Sequence, residues 1–261
     1  MSGYSLRGLH WFNALSAGAR VVEGLPPSLK AADAELGRFI AVVADPDNRF
    51  SRARNGEVGL LEGWGLAKAV DDAISADRDN AKKRPIIAIV DVPSQAYGRR
   101  EEALGIHQAL AGAADSYARA RLAGHPVIAL LVGKAMSGAF LAHGYQANRL
   151  IALRDPGVMV HAMGKASAAR VTLRSVEELE ALAASVPPMA YDIDSYASLG
   201  LLWETLSVQQ IEQPTAEDLT RVTECLKQAI NDVTSTDLKG RLGASNRAAS
   251  SKVRELLRAQ W

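Results

Sequence analysis

Cysteine is almost missing: Cys225 stands alone in 261 residues, so no disulfide can form within the chain and no cysteine-built metal site is possible. An excess of one charge is missing too. Thirty Lys and Arg against 29 Asp and Glu leave a formal net charge of +1, which argues against nucleic-acid binding driven by bulk charge and against an acidic or basic tail. No run approaches the roughly 18 apolar residues of a membrane span, and the opening Met1 to Arg7 has no apolar core of a secretion signal. What remains is 48% hydrophobic and 23% charged, the balance of a globular chain long enough to bury its own core. The expectation is a cytoplasmic protein that uses neither nucleic acid nor membrane.

The middle of the chain alternates between two hydrophobic patterns. Ile86 to Val92 is a β-branched run ended by Pro93, and Val127 to Val132 is a second such run ending in Gly133; both read as buried strands. Between them, residues from about Arg100 to Leu122 are rich in Ala, Glu and Leu and read as one helix, closed by Gly124 with Pro126 beyond. A further helix is predicted from about Ser137 to Ala147, then short strands at Arg149–Leu153 and Val158–Val160 around a turn at Asp155 to Gly157. Strand, helix, strand, helix, strand is the order of an α/β core with right-handed crossovers.

The flanks read as more helical. Leu36, Phe39, Ile40 and Val43 lie at helical spacing and predict a helix from Ser28 to about Ala44. Ser175 to Glu178 form a capping box, and Thr215 to Asp218 open a helix with Leu219, Val222, Leu226 and Ile230 on one face. The last helix, roughly Asn246 to Ala259, is basic (Arg247, Lys252, Arg254, Arg258) with a stripe of Val253, Leu256 and Leu257. The polar stretch 234–245 reads as a linker. The expected division is one domain over 1–233, followed by linker and C-terminal helix over 234–261.

Chemistry is expected where the buried strands end. Gly133 to Ala142 directly follows a strand; small residues there permit a tight turn, and the N–H groups opening a helix can bind a developing oxyanion. A second glycine-containing loop, Asp91 to Gly98, ends the preceding strand, so the two loops can offer N–H groups to one oxygen. A third, Gly56 to Trp64, precedes a helical stretch from Leu66 to Ile74.

The order Glu62-Gly63-Trp64, then Asp91-x-Pro93 with Gly98 and Glu101-Glu102, then Gly133-x-x-x-Ser137-Gly138-Ala139 resembles the carboxyltransferase branch of the crotonase superfamily. Leu199 to Glu204 is similar to that branch's closing segment. Within the branch, the opening Gly8-Leu9-His10-Trp11-Phe12 looks most like the γ subunit of biotin-independent malonate decarboxylase. The resemblance implies an α/β, crotonase-like β-β-α spiral with a C-terminal helical appendage, paired with a homologous β subunit. It implies decarboxylation of a malonyl group on an acyl carrier subunit to an acetyl thioester and CO2, with a transferase α subunit in the same assembly. It further implies that this chain binds no cofactor of its own, no biotin and no metal; a phosphoribosyl-dephospho-coenzyme A arm belongs to the carrier.

Losing CO2 from a malonyl thioester leaves an enolate, so catalysis calls for N–H donors where oxygen charge develops. By motif position these are the N–H of Gly138 and an N–H of the Gly98 loop. This subunit's donors are expected to hold the leaving carboxylate or CO2, and the β subunit's donors the thioester oxygen. Ser137 completes the expected catalytic set, and Tyr97, Arg99, Arg100, Met136 and Ala139 are expected to line the substrate. The sequence departs from the family where Ala135-Met136-Ser137 replaces a denser glycine run and Ser94-Gln95 stands where glycine is usual; bulky Met136 narrows the space that biotin needs.

Other readings stand beside this one. Ser137 and His161 also resemble the nucleophile and base of the caseinolytic serine protease family, although alignment on Gly138-Ala139-Phe140 puts Met136 at the nucleophile position. Ser137 equally reads as a helix N-cap. Against a hydratase or isomerase stands the absence of a Glu in the Gly138–Leu141 turn, where positions 139 and 140 are Ala and Phe. A structural subunit with all chemistry in its partner also fits, because a self-contained acid or base is hard to find. His107, His125 and His143 read as structural, His10 as an anchor beside Trp11, and Lys252, Arg254 and Arg258 as a solvated face that can also dock an acidic carrier.

Overall fold

Helix α1 (Arg7–Leu15) is the first element and buries Trp11 and Phe12 against the sheet. A computed structural model describes residues 3–242 and 244–261. After α1 come β1 (Arg20–Val21), β2 (Leu29–Ala34) and β3 (Gly37–Val42), which pair antiparallel in sequence. Residues 28–44 are therefore a hairpin and not the helix that the spacing predicts. The reason is tertiary: β3 lies between β2 and a later strand and is buried along its whole length, so its apolar run needs no alternation. Gly37 makes the turn at φ +150°, with the Pro85 carbonyl oxygen 2.3 Å from where a β-carbon would sit.

Helix α2 (Leu60–Ala76) leads to β4 (Ile86–Val92), which matches its predicted bounds and runs parallel to β3. The predicted single helix is broken into α3 (Arg99–Ala103) and α4 (Ile106–Leu122) by Gly105, which sits at φ +82°. Next comes β5 (Val127–Met136), four residues longer than its apolar run. Its first half pairs with β6 (Arg149–Leu153) and its second half with β7 (Met159–His161), so one strand serves two neighbours. Between β5 and β6, α5 (Ser137–Ala142) stops early because Gly144, at φ +106°, turns the chain tightly against Val90 and Ala129.

Helices α6 (Lys165–Val171), α7 (Val176–Ala183) and α8 (Ile193–Ser198) form a small layer beyond β7. The capping box of α7 forms as predicted: Glu178 N donates to Ser175 Oγ at 3.1 Å, and Ser175 N donates to Glu178 Oε2 at 2.8 Å. Strand β8 (Glu204–Leu206) closes the far edge beside β6, and α9 (Ala216–Asn231) covers the sheet with Val222, Cys225, Leu226 and Ala229. Residues 234–242 pack on the body: Arg241 is buried and donates to the carbonyls of Tyr145, at 2.7 Å, and Ala147. The last helix, α10 (Ala248–Gln260), has no buried residue; Val253, Leu256 and Leu257 face outward. Among the described residues no helix is long and apolar enough to cross a membrane.

Candidate functional site

Asp91, near the end of β4, organises the ends of both central strands. Its carboxylate accepts from Lys134 N at 3.1 Å and from Gly8 N at 3.2 Å, so one buried side chain ties β5 and the first turn of α1 to β4. Gly133 is required by that contact, since a β-carbon would lie 2.0 Å from Asp91 Oδ1. The loop that follows is held by the segment before α2: Val58 N donates to Ser94 O at 3.1 Å, and Ala96 N donates to Val58 O at 2.9 Å.

The two glycine loops do meet, through a side chain. Gly138 N donates to Gln95 Oε1 at 2.9 Å. Gln95 was visible in the sequence only as a replacement for glycine, and nothing local signals a contact spanning 43 residues. Gly98 has a packing reason of its own: a β-carbon there would lie 2.5 Å from Glu101 Oε2 and 2.6 Å from Arg52 Nε. Tyr97 on this outer loop and Arg99 and Arg100 at the start of α3 are exposed, and the Arg100 guanidinium lies 5.2 Å from the Phe50 ring centroid.

Ser137 takes φ +57°, a left-handed conformation that costs a non-glycine residue about 1–2 kcal/mol. It is not the N-cap of α5; Met136 holds that position, and no side chain caps the helix. The Met136 side chain is buried with Ala168, Ala169, Leu179 and Tyr191, and Ala139 is fully buried in the main core. Ser137 and Gly138 instead edge a cavity of about 580 Å³, walled by Phe140, Leu141, Val171, Leu179, Met189 and Leu199, with His161 on its lining. No hydrogen bond joins Ser137 to His161 among the described residues.

His161 Nδ1 sits 3.0 Å from Met163 O and 3.2 Å from Met163 N, and burial holds its pKa below the usual histidine value. His143 is different: fully buried, it engages Tyr117 Oη through Nδ1 at 3.0 Å and Ile89 O through Nε2 at 2.9 Å, and burial pushes its pKa down to about 4. His125 bonds Arg84 O at 2.9 Å, His10 bonds Glu212 O at 2.6 Å, and His107 is exposed. In the Glu62-Gly63-Trp64 motif the first two residues are architectural, and Trp64 is exposed. Buried Glu62 accepts from Ser28 Oγ, Asn48 Nδ2 at 2.8 Å and Gly59 N at 2.9 Å, and Gly63 lets α2 cross closely over Ala109 of α4. Among the described residues no cluster of His, Cys, Asp and Glu could hold a metal ion.

A mixed sheet whose central strand pairs with two successors, with small-residue turns at the ends of its buried strands, has the crotonase-type fold of carboxyltransferases. Transcarboxylase 12S shares this fold at 19% identity and a TM-score of 0.62, covering 88% of this chain and 42% of that one. The family model of the malonate decarboxylase gamma subunit matches residues 53–261, and the chain belongs to that family. A chain in the crystal structure of a Pseudomonas malonate decarboxylase hetero-tetramer in complex with coenzyme A is 72% identical, with a TM-score of 0.94 over 98% of this chain and 99% of that one. The malonyl-S-ACP:biotin-protein carboxyltransferase of Malonomonas rubra is 34% identical over 211 residues, 80% of this chain and 70% of that protein.

Proposed function

We propose that this chain works in the cytoplasm beside a homologous β subunit, and that the pair decarboxylates a malonyl thioester carried by an acyl carrier subunit. The observation that carries the reading is the 72% identity, over nearly the whole chain, to a subunit of a malonate decarboxylase hetero-tetramer. The carrier, its phosphoribosyl-dephospho-coenzyme A arm and the transferase α subunit complete the assembly. The arm stays covalently on the carrier, and the largely apolar cavity beside Gly138 suits its thioester end. Residues 1–233 form the reacting body, and 234–261 are a tail strapped to it.

In the reaction the bond between C2 and the carboxylate breaks, and its electron pair moves onto C2 and the thioester oxygen. An N–H placed where charge resides or develops contributes about 3 kcal/mol in comparable sites. Gly138 N–H is such a donor, and Gln95 Oε1, 2.9 Å away, now takes the place of a substrate oxygen. Substrate entry therefore displaces the Gln95 amide. This hole holds the leaving carboxylate, and the β subunit's hole holds the thioester oxygen.

The test is CO2 release by the assembly reconstituted from this chain, the β subunit and a malonyl-loaded carrier. Gly138→Pro deletes the N–H at a position where the helix does not need it. A loss of about 100-fold in an intact assembly is expected; an assembled variant releasing CO2 at the wild-type rate would remove Gly138 from the mechanism. A wild-type assembly that releases no CO2 would remove the function itself.

A further inference from the structure

Once CO2 leaves, the substrate carbon must gain a proton, and the Gly138 and Gln95 contact supplies none. The cavity that Gly138 edges contains one imidazole, His161. Its ring is held on two sides. The face stacks on Tyr191, with centroids 3.9 Å apart and planes 13° from parallel, and the Nδ1 edge rests on the Met163 backbone. Tyr191 is itself fixed, its hydroxyl donating to Met163 O at 2.9 Å.

Nδ1 faces both an N–H and a carbonyl of the same residue. It can accept from Met163 N when bare and donate to Met163 O when protonated, so the ring keeps its anchor through a change of charge. Nε2 has no hydrogen-bond partner among the described residues. That separates His161 from His143, whose two nitrogens are both satisfied inside the core. An imidazole oriented through one nitrogen, with the other free beside a cavity, is arranged for proton transfer.

We propose that His161 is the general acid of the decarboxylation, delivering its Nε2 proton to the carbon that has lost CO2; this rests on the decarboxylase reading above. The carbon–carbon bond breaks and leaves its electron pair on C2. C2 then bonds to the Nε2 proton, and the N–H electron pair stays on the ring as neutral imidazole with Nδ1–H donating to Met163 O. Solvent returns one proton per turnover, matching the one consumed when a malonyl thioester anion becomes an acetyl thioester and CO2.

The ionisable groups around the ring come from α6, α7 and α8 and from the segments before α8 and after α5. Tyr191 and Asp192 precede α8, with Asp192 accepting from Ser195 N at 2.8 Å. Lys165 of α6 lies 5.5 Å from the Tyr191 centroid and is paired at 2.6 Å with Glu180 of α7. Tyr145 and Tyr196 line the same cavity. Burial favours the neutral ring, so the acid form grows as pH falls below the ordinary histidine range.

The experiment follows CO2 release by the reconstituted assembly against pH, in H2O and D2O, with assembly checked by native mass spectrometry. For wild type the rate falls as pH rises through the ring's titration and is slower in D2O. His161→Gln keeps the bulk but cannot serve as the acid; a loss of about 100-fold or more with that pH limb gone is expected. An assembled His161→Gln variant running near the wild-type rate overturns the proposal. Should that variant fail to assemble, a wild-type rate that is flat across the titration overturns it equally. Added imidazole restoring an assembled His161→Ala variant supports it, and no rescue counts against it. A wild-type assembly without CO2 release fails the parent reading first, and this one with it.

Discussion

A methyl group cannot be added at Gly133. Its β-carbon would sit 2.0 Å from Asp91 Oδ1 and 2.4 Å from Asp91 Cγ, and parallel pairing holds β5 just before it at Leu131 and just after it at Lys134. Asp91 would have to swing away and abandon Lys134 N and Gly8 N. Gly133→Ala is therefore expected to cost about 3 kcal/mol, read as a lower urea midpoint. Gly138→Ala is the control, because the nearest atoms to its new carbon lie 3.5 Å away; its midpoint should stay near wild type. The contrast separates two glycines that look alike in sequence. One is needed for packing, and the other presents a donor.

The junction between β4 and the turn after α5 carries a pH dependence. His143 is neutral in the folded protein, with its pKa near 4 against an ordinary value of 6.5. Between those values the unfolded chain binds a proton that the folded chain refuses. Stability from this group is thus complete above pH 6.5 and is lost as pH falls toward 4, by an amount on the order of 3 kcal/mol. Asp77, held down to about 2 by its bonds with Arg84, loses its contribution only below the ordinary carboxylate range, so the two windows do not overlap. Urea midpoints measured from pH 7.5 to 4.5 should fall, and His143→Phe should flatten that slope. The elements themselves were unevenly legible. β4, α9 and the α7 capping box were plain from local pattern, whereas the β2–β3 hairpin was hidden because a strand buried on both faces has no alternation to read.

At the scale of the molecule, several side chains strap the C-terminal tail to the body: Asn148 Nδ2 donates to Ser235 O at 3.2 Å, Asn246 Nδ2 donates to Ser198 Oγ at 2.9 Å, and Arg241 is the buried one. Arg241 donates to the carbonyls of Tyr145 and Ala147, so its removal strands two acceptors and loosens the tail without touching the sheet. Arg241→Ala is expected to speed tryptic cleavage between Val233 and Ala248 severalfold while the body's urea midpoint changes little. A body that unfolds together with its tail would show the two to be one cooperative unit, against the division at residue 233.

Sequence by itself determined the α/β order, the two buried central strands, the caps of α7 and α9, and the motif order that resembles the carboxyltransferases. These depend on hydrophobic period and on residues within one or two turns of each other. Tertiary structure alone decided that residues 28–44 are strands, that Glu62 and Gly63 hold α2 rather than a ligand, and that Gln95 reaches Gly138. It also decided that His161, rather than any other histidine, borders that donor's cavity with a nitrogen to spare. Each of these depends on groups distant in the chain meeting in a dry interior, where burial overrides local spacing and an unpaired polar atom is costly enough to choose its partner.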